Sequence, residues 1–150
     1  MKRFLVLATC ALLSLPAFAQ SVREKKAWDE AKSKAKATSA EIKTACGVDV
    51  TVGFNEKSYK NIEDVEKYTA WCANDIRTGI TQLCGDADYK TAFSKKVKKI
   101  TCAFDPTLKS GSDHNYGNKL SMSGSEVTQA YNKDSSNLEQ KLVDFLKQQL

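Results

Sequence analysis

The stretch CANDIRTGITQLC, residues 72–84, places two cysteines inside a segment with helical periodicity. Apolar side chains recur there at steps of three and four, from about residue 62 to residue 83. A continuous helix of twelve residues rises ~18 Å, whereas a disulfide requires Cα atoms within about 7 Å. Cys72 and Cys84 are therefore expected to bond other cysteines and not each other.

Two disulfide pairings remain for the four cysteines that follow the amino-terminal segment. One joins residues 46–72 and 84–102, and the other joins 46–84 and 72–102. Cys72 lies mid-helix and Cys102 lies in the middle of an alternating, strand-like stretch. Cys46 and Cys84 both end predicted helices, and each precedes a glycine. Matching middle to middle and end to end favours Cys46–Cys84 with Cys72–Cys102.

The amino-terminal segment predicts export. Lys2 and Arg3 precede an uncharged apolar run over residues 4–15, and Pro16-Ala17-Phe18-Ala19 ends with a small-x-small cleavage pattern. This is the layout of a secretory signal peptide, and the run is short for a membrane span. We therefore expect residues 1–19 to be cleaved.

The remaining residues 20–150 are long enough for one domain with its own core. Cleavage removes two basic residues and no acid, which lowers the formal net charge from +5 to +3. No later segment is apolar enough to span a membrane. The expected location is periplasmic or extracellular. Lipidation at Cys10 is the alternative, which Thr9 before that cysteine disfavours.

The cysteine spacing also bears on chemistry. An even number of cysteines in an exported chain favours structural disulfides over free thiols. No C-x-x-C pair is present, and zinc sites and thioredoxin-like redox sites usually contain one. We therefore expect two disulfides, no metal and no cofactor.

Periodicity along the chain predicts an α+β domain with the order α-β-α-α-β-β-β-α. The expected helices cover about residues 21–46, 62–83, 86–97 and 136–150, and the expected strands cover 48–54, 98–105, 120–122 and 127–131. Short connections between the late strands favour a small antiparallel sheet of about four strands, packed against the helices.

The only histidine, His114, follows Asp113 in the glycine-rich stretch 106–118. An acid beside a histidine could transfer protons, which makes these two residues weak catalytic candidates. A second histidine and a G-x-S-x-G motif are both absent from the sequence. A small secreted hydrolase built on this loop is therefore an alternative and not the leading interpretation.

Other acidic residues are interpreted as solvated charge. They lie mostly on polar helix faces near lysines, and nothing in the pattern marks one as buried. The residues considered as possible paired carboxylates are Glu41, Asp49, Glu63, Asp64, Glu66 and Asp75. A calcium loop beginning at Asp86 and Asp88 fails because Lys90 occupies the next ligand position.

Five residues are candidates for binding. Lys95, Lys96, Lys98 and Lys99 form the densest basic run, which could meet an anionic polymer, lipid headgroups or an acidic protein. Trp71 lies beside the apolar stripe of its helix, so partial exposure would make it a binding anchor. A nucleic-acid partner is not expected, because the chain after cleavage has few arginines.

These observations favour a non-catalytic binding module that engages a protein or an anionic envelope surface. The sequence contains no motif that announces an enzymatic activity. The alternatives are the hydrolase described above and a structural component of the envelope.

Overall fold

The computed structural model describes residues 15–60, 62–109 and 117–150. Along the chain the elements are α1 (Leu15–Cys46), β1 (Thr51–Phe54), a 3₁₀ turn (Glu56–Tyr59), α2 (Val65–Leu83), α3 (Ala87–Lys96), β2 (Lys99–Phe104), β3 (Asn118–Ser123), β4 (Glu126–Tyr131) and α4 (Leu138–Gln149). The expected α+β class and element order are confirmed. The cleavage of residues 1–19 stays a prediction.

Local sequence signals account for several element ends. Gly47 adopts the left-handed conformation (φ +72°), and its N–H donates to the Lys43 carbonyl oxygen at 2.9 Å, which ends α1. Asp86 begins α3, because its side chain accepts hydrogen bonds from the backbone N–H groups of Asp88 and Tyr89.

The four strands form one mixed sheet in the order β1-β2-β4-β3. The expectation of an antiparallel sheet holds for the β3–β4 hairpin and is corrected for the other two pairings. β1 pairs with β2 in parallel, and β2 pairs with β4 in parallel. α2 and α3 together form the crossover that a parallel β1–β2 pair requires.

β3 lies at the far edge of the sheet, and the hairpin returns β4 to the position beside β2. The short β3–β4 connection fixes only the direction of those two strands. The placement of β4 is decided by packing against distant elements, which alternation of apolar residues does not encode. The pattern of apolar residues therefore could not predict that β1 and β4 run parallel to β2.

Alternate residues of the central strands are buried. In β2 the side chains of Ile100, Cys102 and Phe104 face the core, while Lys99 on the opposite face is exposed. β4 follows the same period of two. The core therefore lies between one face of the sheet and the helices.

Two disulfides close this core, as predicted. Cys46 at the end of α1 bonds Cys84 after α2, with Cα atoms 5.3 Å apart. Cys72 in the middle of α2 bonds Cys102 in the middle of β2, with Cα atoms 6.3 Å apart. α2 is continuous from Cys72 to Leu83, the residue before Cys84, which is why these two cysteines bond other partners.

α4 packs directly on α2 at Gly79. A Cβ atom at that position would lie 2.9 Å from the carbonyl oxygen of Glu139, so a larger side chain would push the two helices apart. The apolar face of α4 is buried through Leu138, Leu142 and Leu146. No disulfide holds α4, and its docking depends on this packing.

Candidate functional site

Trp71 is 41% exposed and, with Val22, is one of two exposed large apolar side chains among the described residues. The adjacent Cys72 lies on the buried stripe of α2. One helical step turns a side chain by ~100°, which carries the indole of Trp71 from the core to the surface.

Two neighbouring side chains hold the Trp71 indole. Tyr68 meets it edge to face, with ring centroids 5.6 Å apart and planes at 87°. The Lys67 Nζ atom lies 5.0 Å from the Trp71 ring centroid and 5.6 Å from that of Tyr68, within cation–π range of both. We call Lys67, Tyr68 and Trp71 the aromatic platform.

The platform rests on the hydrophobic core. The Tyr68 ring lies 5.2 Å from the ring of Phe104, which ends β2. The backbone carbonyl oxygen of Tyr68 accepts a hydrogen bond from the hydroxyl of Tyr131, a fully buried residue at the end of β4. The exposed indole is therefore fixed through α2 to two strands of the sheet.

Buried aromatic contacts continue from the platform to the other side of the core. The hydroxyl oxygens of Tyr131 and Tyr59 are 2.9 Å apart, and the Tyr59 ring lies 5.6 Å from that of Trp28. Burial raises the pKa of both tyrosines, so their hydroxyls stay protonated at physiological pH. Their role is structural, because the two hydroxyls and the Tyr68 carbonyl form hydrogen bonds with one another within an apolar core.

The lysine run, residues Lys95, Lys96, Lys98 and Lys99, is engaged mainly within the fold. Lys96 Nζ donates to the carbonyl oxygens of Gln149 and Leu150 at the end of α4, at 2.9 and 3.0 Å. Lys98 Nζ donates to the Ser94 carbonyl oxygen in the last turn of α3, at 2.8 Å. Both ammonium groups therefore complement the negative end of a helix dipole.

Lys99 pairs with Glu126 across the β2–β4 ladder, with 3.0 Å between Nζ and Oε1. The Thr101 hydroxyl donates to the same carboxylate oxygen at 2.7 Å. The hydrogen bond from Thr101, followed by that from Lys99, lowers the pKa of Glu126. Within the described residues, Lys95 is the one member of the run for which no such contact is found.

The lysine run and the aromatic platform lie at opposite ends of β2. Lys99 begins the strand, and Phe104, which contacts the platform, ends it. Five residues of strand separate the two ends by about 16 Å. The structure therefore does not combine the five candidate binding residues into one surface.

The catalytic candidates Asp113 and His114 lie outside the described residues. The described ends of their loop are held together by Asn132, whose side chain donates to the Leu108 carbonyl oxygen. The Gly117 carbonyl oxygen accepts from the Asn132 N–H at 3.2 Å and from the Ser135 hydroxyl at 2.6 Å. The hydrolase interpretation gains no support from these contacts.

Asp75 differs from its expected solvated state. It lies one turn beyond Trp71 on α2 and is half-buried near Glu139 of α4. Burial, followed by repulsion from Glu139, raises the pKa of Asp75 to about 6, and a hydrogen bond from Asn74 opposes the shift. α4 covers this edge of α2 and so buries part of Asp75. The sequence signal for this burial was the position of Asp75 next to the apolar stripe of α2.

The described residues contain no group of three or more histidine, cysteine or acidic side chains that could hold a metal ion. Among the helices described, none is both long and apolar enough to cross a membrane.

The chain was compared with known protein families, curated proteins and solved structures, and none of them matches it.

Proposed function

We propose that this protein is an exported, non-catalytic binding module that contacts a protein partner through the aromatic platform. The observation that carries the proposal is Trp71, a large indole that is exposed and yet held in place. Exposed large apolar groups of this kind are enriched at the energetic centres of protein interfaces.

Preorganisation supports this function. Ordering a free side chain on binding costs about 0.5–1.5 kcal/mol. Trp71 is already ordered by its contacts with Tyr68 and Lys67, so much of this loss of entropy does not occur on binding. The open part of the indole offers apolar area, and the Lys67 ammonium offers a charge at its rim. A partner with an apolar pocket and an acidic residue beside it would complement both features.

The two disulfides support the export component of the proposal. Disulfides persist in oxidising compartments and are rare in the cytosol. Together with the signal-peptide pattern of residues 1–19, they are compatible with a periplasmic or extracellular location. They say nothing about the partner.

The test compares Trp71→Ala with Val22→Ala, which truncates the other exposed large apolar side chain. Purified protein carrying a cross-linker on an introduced exposed cysteine is mixed with an envelope extract of the source cell, and adducts are quantified by mass spectrometry. We expect Trp71→Ala to lower capture of a specific protein about 30-fold, the effect of a 2 kcal/mol contact. Val22→Ala should leave capture unchanged.

Three results, from this experiment and from matching tests of the lysine run and of cells lacking the protein, would contradict the proposal. Equal capture by Trp71→Ala and the wild-type protein would exclude the platform. Retention that disappears in high salt and follows the lysine run would instead favour an anionic envelope surface as the partner. Absence of any specific partner, combined with envelope defects in cells lacking the protein, would favour a structural component.

A further inference from the structure

A groove of about 490 Å³ separates α1 from the open edge of the sheet. Its residues come from one face of α1 and from the strand β1 with its flanking residues. On the helix side they are Lys32, Ala35, Lys36 and Ser39. The groove shares no residue with the aromatic platform.

β1 is an edge strand, and its parallel register determines which backbone groups face this groove. Thr51 and Asn55 donate to carbonyl oxygens of Lys98 and Cys102, so alternate residues of β1 face β2. In a parallel ladder both backbone groups of one residue point to the same side. The N–H and C=O groups of Val52 and Phe54 therefore point away from β2, toward the open edge.

α1 supplies one substitute for a neighbouring strand. The Ser39 Oγ atom accepts a hydrogen bond from the Val52 N–H at 2.9 Å and donates to the Ala35 carbonyl oxygen at 3.0 Å. The Val52 carbonyl and both backbone groups of Phe54 remain directed into the groove. α1 therefore covers the β1 edge at the Val52 N–H, and the groove lies beside the rest of that edge.

The charges around the groove are unevenly compensated. Glu56 at one end pairs with Lys32 at 3.0 Å, and Asp49 at the other end pairs with Lys43 at 2.8 Å. Lys36 lines the groove between these two pairs and is exposed. Among the described residues it takes part in no ion pair, so an ammonium group without a salt-bridge partner lies near the centre of the groove.

We propose that this groove binds an extended segment of a partner protein, which adds to β1 as a fifth strand and places an acidic side chain opposite Lys36. Backbone pairing with the Val52 carbonyl and with the two backbone groups of Phe54 supplies affinity with little dependence on sequence, and the lysine supplies the preference for an acid. This inference is independent of the aromatic platform, because the two surfaces use different residues.

The probe is a blocked pentapeptide, Thr-Val-Glu-Val-Thr, titrated to about 2 mM into the isotope-labelled mature chain and followed by amide NMR shifts. We expect saturable shifts of the Val52 and Phe54 amides, and slower hydrogen exchange at Phe54. Lys36→Glu should weaken binding about fivefold through the reversed charge. Lys34→Glu makes the same change at an exposed site of α1 outside the groove and should leave affinity within about twofold.

A peptide with proline in place of the central glutamate should not bind, because it lacks both the acid and a backbone donor. Unchanged amides of Val52 and Phe54 at the highest peptide concentration would overturn the proposal. Equal weakening by Lys36→Glu and Lys34→Glu would also overturn it, since that result reflects net charge alone. Trp71→Ala should not alter the titration, so failure here is distinguishable from failure of the platform.

Discussion

The aromatic platform and the lysine run are both exposed, but the fold uses them differently. Three of the four lysines of the run hold helix ends or a neighbouring strand. In the platform, Tyr68 and Lys67 hold the indole of Trp71, and Trp71 remains 41% exposed. Exposed charged groups can thus already be bonded within the fold, whereas the open face of a held aromatic ring is accessible to a partner.

The largest expected effect comes from the disulfides, one of which joins the platform helix α2 to β2. Replacing Cys72 and Cys102 with alanine removes a cross-link between residues that are 30 positions apart in the chain. This loss should lower the free energy of unfolding by about 3–4 kcal/mol. The matched pair Cys46→Ala with Cys84→Ala, across 38 residues, should cost a similar amount. Urea unfolding measures both.

Only removal of the Cys72–Cys102 bond should loosen the platform. It joins α2, next to Trp71, to β2, whereas Cys46 and Cys84 lie at helix ends. In a Trp28→Phe background, acrylamide quenching of Trp71 fluorescence should increase for the first double variant and stay constant for the second. Equal quenching in the two double variants would contradict the claim that the Cys72–Cys102 bond holds the platform.

The platform itself should separate binding from stability. Tyr68→Ala removes a half-buried ring from Phe104 and should cost about 2 kcal/mol of unfolding free energy. Trp71→Ala removes a more exposed ring and should cost less than about 1 kcal/mol. A lower denaturant midpoint for Trp71→Ala than for Tyr68→Ala would show that the main role of Trp71 is to stabilise the fold.

Asp75 predicts a pH dependence in the helix that carries the platform. Its pKa of about 6 in the fold is above the ordinary value of 3.8, so folding favours the protonated form. Stability should therefore be highest below about pH 4 with respect to this group, fall between pH 4 and 6, and stay reduced above pH 6. Asp75→Asn should abolish that fall and raise the unfolding free energy at pH 7 by about 1 kcal/mol, after allowance for solvent screening.

Urea midpoints between pH 4 and 7 measure this effect. Glu139 on α4 raises the pKa of Asp75, and Asp75 in turn raises the pKa of the protonated Tyr131 on β4. Glu139→Gln should therefore reproduce part of the gain. A wild-type and an Asp75→Asn curve that stay parallel across this range would contradict the assignment.

The smallest expected effects come from the lysine run. Lys96→Gln and Lys98→Gln each remove a contact at a helix end and should lower the unfolding free energy by about 0.3–1 kcal/mol, less in high salt. Lys95→Gln is the matched control and should have no measurable effect. A larger loss for Lys95 would show that the contacts observed for Lys96 and Lys98 do not stabilise the fold.

The sequence predicted those parts of the structure that follow from local periodicity. Helical spacing from Cys72 to Cys84 excluded their bond and left two pairings, of which the positions of the cysteines in their elements favoured the observed one. The helix ends at Gly47 and Asp86 also follow from local backbone and capping preferences of these residues. Trp71 was a candidate for exposure because it lies one step from a buried stripe.

The remaining features depend on elements that are distant in the chain. Parallel pairing of β4 with β2 and burial of Asp75 under α4 are set by tertiary packing. The contact of Lys96 with the end of α4 spans more than fifty residues, so a run of lysines could not be distinguished from a free basic patch. Ser39 likewise reaches Val52 only because α1 covers the sheet edge at that residue.

The most direct test of the central claim compares how much each of the two surfaces contributes to binding the same partner. Binding of the partner captured by the wild-type protein is measured for Trp71→Ala and for a variant with all four lysines of the run changed to glutamine, at about 50 and 500 mM salt. We predict a loss of about 30-fold for Trp71→Ala at both salt concentrations and less than about threefold for the lysine variant. Full binding by Trp71→Ala, with a salt-dependent loss in the lysine variant, would contradict the account.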